Sequence, residues 1–200
     1  MYSHNSSIYT KDQLAKIGNA IIFLCERMQP LSKTKLLKLI YLIEELSVKK
    51  YGMPFFNIRF DVWKLGPVSK DIYAEITTSE PDLLGDYIVK ETRDGNIFLR
   101  AKQEFADDEF SDIELQLLED IAGAYRKYTA EQLIQLTHRK HSPWYSTASK
   151  YGLLEHFNNG TANTSNIEID LSSLIRDDEQ KLALYKSHKD FLDHSKRLKF

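Results

Sequence analysis

The segment between Pro30 and Gly52 constrains this chain more than any other. Leu36, Leu37, Leu39, Ile40, Leu42, Ile43 and Leu46 crowd one helical stretch and cover more than half of its circumference. A helix apolar on so many sides has several neighbours packed against it, so it belongs at the centre of the fold. Ser32 or Thr34 can cap its start, and it runs to about Lys50. Gly52 suits a left-handed helix end, and Pro54 prevents continuation. Lys33, Lys35, Lys38, Lys49 and Lys50 punctuate the stretch, which leaves open what those cations do.

The remaining elements group around that helix. Residues 11–28 predict a first helix, with Leu14, Ile17, Ile21, Leu24, Cys25 and Met28 at three- to four-residue spacing, ended by Pro30. Residues 58–64 alternate as a short strand, broken by Gly66-Pro67, and a short helix reaches about Ile76. Arg93-Asp94-Gly95-Asn96 between two apolar runs predicts a β-hairpin. Ser111 with Glu114 and Thr129 with Gln132 are capping boxes ahead of two more helices. Ser142-Pro143 opens a third, which Gly152 stops. A polar loop at 158–166 and an apolar segment at 167–175 lead to a charged amphipathic helix from Asp177 to about Leu198. The sum is a predominantly helical α+β fold, a helical core with a small antiparallel β element inserted mid-chain. Residues 1–152 read as one domain. Residues 153–200 read as a linker, a short extended segment and a C-terminal helix docked on that domain.

Composition removes several classes of function. With 42% hydrophobic residues the chain is an ordinary globular protein, and 200 residues suit a single core. The net charge of −2, with both signs intermixed, offers no field for nucleic acid or an anionic membrane. A single cysteine, Cys25, rules out an internal disulfide and a multi-cysteine zinc site. Neither a signal-like apolar run near the N-terminus nor a membrane-length apolar window occurs, so a soluble cytoplasmic protein is expected. No cofactor motif is present.

Two clusters carry the recognition. The first joins Lys35, Leu36, Leu39 and Tyr41 to Trp63, Gly66, Pro67, Val68 and Tyr73. The second holds Thr137, His138, Pro143 and Trp144. In this order they resemble the Panacea family, also called the SocA-like antitoxin domain, over roughly residues 14–144. The resemblance implies a bacterial or phage toxin–antitoxin protein that neutralises a cognate protein toxin, usually encoded next door, by direct contact. It also implies a possible adaptor form, in which the toxin is presented to a protease. It implies no catalytic residue.

The same residues admit other readings. His138 is the best general acid–base candidate by type, with Asp61, Asp71 and Glu75 as conceivable partners, but no local nucleophile marks a reaction. His138 and His141 are three apart, yet the Ser142-Pro143 break and the lack of cysteine ligands argue against a metal. A helix-turn-helix over residues 14–50, with its lysines on phosphates, would make the chain a phage- or element-associated DNA-binding regulator. Trp63 and Trp144 anchor the core or an interface, and the structural role is favoured for Trp63. The tail from Lys181 onward is either a final docked helix or a detachable one that fills a partner's groove.

Overall fold

The computed structural model describes residues 9–81 and 83–198. Residues 1–8 of the polar N-terminal stretch and residues 199–200 of the tail lie outside the described residues.

Helix α1 (Lys11–Arg27) starts at a capping box. The Thr10 hydroxyl accepts from the Gln13 amide at 3.1 Å, while the Gln13 side chain accepts from the Thr10 amide. A two-residue strand β1 (Leu31–Ser32) follows the cis Gln29–Pro30 bond. Ser32 then caps α2 (Lys33–Tyr51), which ends at Gly52 with φ of 69°. Every residue of α2 from 35 through 45 is buried, so three turns have no solvent face. Most of the other elements of the fold pack against it, from β1 to a late 3-10 helix. Each fully buried Leu or Ile contributes about 1.5–3 kcal/mol, which makes α2 the main source of hydrophobic stabilisation.

Two small antiparallel β units flank this helix. Strands β4 (Ile88–Arg93) and β5 (Asn96–Ala101) form the hairpin around Asp94-Gly95, both at positive φ as such a tight turn requires. Strand β1 adds to the other edge of β5, giving the order β1-β5-β4. Helix α1 crosses this sheet so closely that the Tyr87 ring fills the space a side chain at residue 18 would need, hence Gly18. The second unit pairs β2 (Asp61–Trp63) with β3 (Gly66–Val68) and feeds α3 (Lys70–Thr77).

Beyond the sheets come α4 (Asp112–Tyr125) and α5 (Ala130–Thr137), both opened by the expected capping boxes. Helix α6 (Pro143–Lys150) is capped by Ser142 with proline in its first turn. The fold is a predominantly helical α+β architecture with small antiparallel sheets.

Three local readings change. The strand expected at 58–64 is only three residues long. Gly66-Pro67 does not end it but carries the return strand, because Lys64 and Leu65 already make the turn. Gly152 takes a left-handed conformation and α7 (Leu153–Asn158) begins at once, where only a connector to the polar loop was expected. The apolar run at 167–175 divides. Its start lies along β2, with the Val62 amide donating to the Ile167 carbonyl and the Ile169 amide to that of Phe60. Its end coils into the 3-10 helix (Leu171–Ile175) against α2, after which α8 (Glu179–Leu198) closes the described chain.

Candidate functional site

The β2–β3 hairpin is held by a lysine. Val62 directs its amide and carbonyl toward residues 165–167, so Pro67, opposite it, faces α2. Proline has no N–H to leave unpaired at that inner edge. Its carbonyl accepts from Lys38 Nζ at 2.9 Å. Lys38 is 1% exposed, and burial lowers its pKa to about 7. Gly66 stands beside it at φ of 100°. A Cβ there would lie 2.8 Å from Thr137 Oγ1 and 3.0 Å from Lys38 Cε, so the residue must be glycine both for conformation and for space.

The tryptophans fix the other side of the hairpin. Trp144 Nε1 donates to the Trp63 carbonyl at 3.0 Å, and the Trp63 ring meets Tyr73 edge to face at 5.0 Å. His138 caps α5 through its backbone and stacks its ring on Trp144, with centroids 3.8 Å apart. Burial, and then the nearby Lys38 charge, lower His138 to about 4, so its imidazole is neutral at physiological pH. His138 Nε2 and Trp63 Nε1 are buried without a hydrogen-bond partner among the described residues.

The proposed acid–base partners are engaged elsewhere. Asp61 is buried and pairs with both Arg59 and Lys70. Asp71 accepts from the Tyr9 hydroxyl, and Glu75 accepts from the amides of Leu83 and Leu84. Nothing supplies His138 with a carboxylate or presents it with a nucleophile among the described residues. In the same set no group of three or more His, Cys, Asp or Glu side chains is placed to hold a metal, and no helix is long and apolar enough to cross a membrane.

The helix-turn-helix reading loses its recognition helix. Lys38 is in the core, Lys35 donates to the Arg126 carbonyl at 2.8 Å, and Lys50 pairs with Asp120. A helix buried through three turns cannot enter a groove.

A second buried charge on α2 serves another loop. Glu44 accepts three backbone N–H bonds, Phe55 and Phe56 on Oε2 at 3.1 and 2.7 Å and Asn57 on Oε1 at 3.1 Å. Burial raises its pKa to about 7, while those three donors and the Lys189 charge oppose the rise. Tyr185 of α8 lies close enough that burial and the Glu44 charge raise its pKa. Beside this loop a cleft of about 350 Å³ is walled by Lys16, Phe55, Phe56, Ile113, His188 and Leu192.

The structure thus brings Trp63, Gly66, Pro67, Tyr73, Thr137, His138 and Trp144 around one hairpin, and Val68 in β3 and Pro143 at the start of α6 are buried. Leu36, Leu39 and Tyr41 are core residues, and Tyr41 meets Phe60 edge to face at 5.2 Å. Lys35 lies apart, at the end of α4. Sequence reasoning missed Lys38 and Glu44 as structural charges. The signal was present, because a helix apolar all round leaves a lysine or glutamate within it no route to solvent. Arg139 was missed too; it pairs with buried Glu45, whose charge acts with burial to raise Tyr41 well above its ordinary range.

The family model described as antitoxin SocA-like, Panacea domain, matches residues 36–145, more than half of the chain. That interval contains Lys38, the hairpin and the Thr137–Trp144 corner that closes on it. No curated protein and no solved structure matches.

Proposed function

The chain belongs to the family of antitoxin SocA-like, Panacea-domain proteins, and from that premise we propose that it neutralises a cognate protein toxin by direct contact in the cytoplasm. The match over residues 36–145 carries the reading. The chemistry of the site agrees with it. The motif residues are taken up in fixing a hairpin, His138 is neutral and stacked, and no reacting group faces it among the described residues. These features support a non-enzymatic role, with inhibition by steric cover or sequestration and affinity set by a few surface anchors. The adaptor form, delivery of the bound toxin to a protease, is an extension of the same contact.

The test is to express the adjacent open reading frame with and without this chain. Growth arrest relieved by the chain, with a stable complex of the two purified proteins, is the expected result. Arrest that the chain leaves unchanged, with no complex, would sink the antitoxin reading. Replacing His138 with Ala in a variant that still folds should leave relief intact, because the histidine performs no chemistry.

A further inference from the structure

The turn of the β2–β3 hairpin places Leu65 in solvent at 60% exposure, although Gly66, Pro67 and Val68 immediately after it are buried. A lone exposed leucine is ordinary. This one sits on a backbone held from several directions. The Lys64 amide donates to the Asn163 carbonyl at 2.8 Å, and the Trp63 carbonyl accepts from Trp144. The Ser165 hydroxyl donates to the Val62 carbonyl at 2.7 Å, and Lys38 holds Pro67. A side chain presented this way loses little freedom on binding, which preserves affinity.

The surroundings select a partner chemistry. Trp63 and Tyr73 form a half-buried aromatic ledge at the base of the hairpin, and Lys33 Nζ lies 5.1 Å from the Tyr73 ring centroid. Neither Lys33 nor Lys64 makes an ion pair among the described residues, whereas Lys70 and Arg59 are engaged with Asp61, and Arg59 also with Glu168 at 3.9 Å. Those two unpaired lysines leave the tip itself positive on a chain whose net charge is −2. Charge complementarity therefore favours an acidic surface opposite this tip.

We propose that the β2–β3 tip is the toxin-contact element, with Leu65 entering an apolar pocket on the toxin and Lys33 and Lys64 meeting an acidic rim. The proposal rests on the antitoxin reading. Its test uses the full chain and the purified product of the adjacent open reading frame, with affinity by calorimetry, rescue of growth, and melting temperature as the fold control. Leu65→Asp should weaken binding about a hundredfold or more without lowering the melting temperature, because the side chain is exposed. Lys33→Glu with Lys64→Glu should also weaken binding and should reduce its dependence on salt. Ile113→Asp, 56% exposed in the cleft wall beside the Glu44 loop, is the control and should bind as the unaltered chain does. Unchanged affinity and rescue with Leu65→Asp would overturn the assignment of this surface. So would an equal loss with Ile113→Asp. If the unaltered chain itself neither binds nor rescues, the antitoxin reading fails and this surface assignment with it, an outcome distinct from rescue that ignores Leu65.

Discussion

Lys38 and Glu44 stand on the same buried helix, and each uses its charge to hold the backbone of an incoming loop. Lys38 gives one bond to the carbonyl of Pro67, whereas Glu44 accepts three amides at 55–57. Both lie in the family-matched stretch, but the neighbours of the lysine, Thr137 and His138, belong to that stretch too, whereas those of the glutamate, Tyr185 and Lys189 on α8, do not. The difference teaches how such a helix tolerates charge. Burial of an ion is unfavourable, and it is offset only where the chain delivers unpaired backbone groups of the opposite polarity. A proline edge offers one carbonyl and a tight turn offers several amides, so the anion is the more deeply committed of the two.

The largest effect should come from breaking the anionic end. Glu44→Ala leaves three donors without an acceptor, two buried and one partly so, and should destabilise the fold by about 4 kcal/mol, since each orphaned group costs about 1–3. Glu44→Gln keeps one oxygen but turns an amide toward the remaining donors, so about half of that loss should remain. Urea titration of the two variants checks the ranking. Equal stability of Glu44→Ala and the unaltered chain would show that the turn is held by something else.

Breaking the cationic end should cost less. Lys38→Ala strands one carbonyl and opens space beside Gly66, for about 3 kcal/mol. Lys38→Met fills most of that space and removes the buried charge, so its cost should fall to about 1 kcal/mol. If methionine proves as damaging as alanine, the charge rather than the volume is what the hairpin needs.

How far these two ends were legible in the sequence differs as well. The central place of α2, the Asp94-Gly95 hairpin and the caps at Ser111, Thr129 and Ser142 follow from local rules, because period, turn chemistry and capping act within a few residues. The short β2, the return through Pro67 and the strand-like run at 167–169 do not. They depend on which distant segment supplies the missing bonds, and residues 165–169 lie about a hundred positions from β2. The motif positions Trp63, Gly66, Pro67, Thr137, His138 and Trp144 were readable as a set. That Gly66, Pro67, Thr137 and His138 gather beside one lysine was not, since Lys38 looks in sequence like the other lysines of α2.

The pH dependence should separate the two charges without mutation. Glu44, with a folded pKa raised to about 7, contributes stability that is full below its unfolded value near 4.5 and is lost as pH rises toward 7. His138, lowered to about 4, opposes it between 4 and 6.5, because there the unfolded chain binds the extra proton. Lys38 acts in a different window. Its folded pKa is lowered to about 7, so from there upward the unfolded state holds more protons and stability rises with pH. Cys25, raised to about 12 by burial, and then the raised Tyr9, Tyr41 and Tyr185, pull the other way at more alkaline pH. Lys38 dominates from pH 7 to 8.5, where the last of the Glu44 titration offsets part of its effect and the unaltered chain should gain about 1 kcal/mol. Chemical denaturation across that interval should remove the rise in Lys38→Met, leaving a flat or slightly falling line, and keep a slightly steeper rise for Glu44→Gln. A rise that survives in Lys38→Met would assign it to another group.

The smallest effect is also the sharpest test of whether Lys38 works alone. Trp144→Phe retains a ring under His138 but removes the N–H that holds the Trp63 carbonyl, and it should cost about 1–2 kcal/mol. Lys38 and Trp144 grip the same hairpin from opposite strands, one at Pro67 and the other at Trp63. Loss of either loosens the element the other must hold, so the double variant should be less damaged than the sum of the singles, with a coupling of about 0.5–1 kcal/mol. Paired with Glu44→Gln the same change should be additive to within about 0.5 kcal/mol, because the Glu44 turn shares no bond with the hairpin. Coupling of equal size in both pairs would mean that α2 responds as one unit and that its two buried charges are not separate devices.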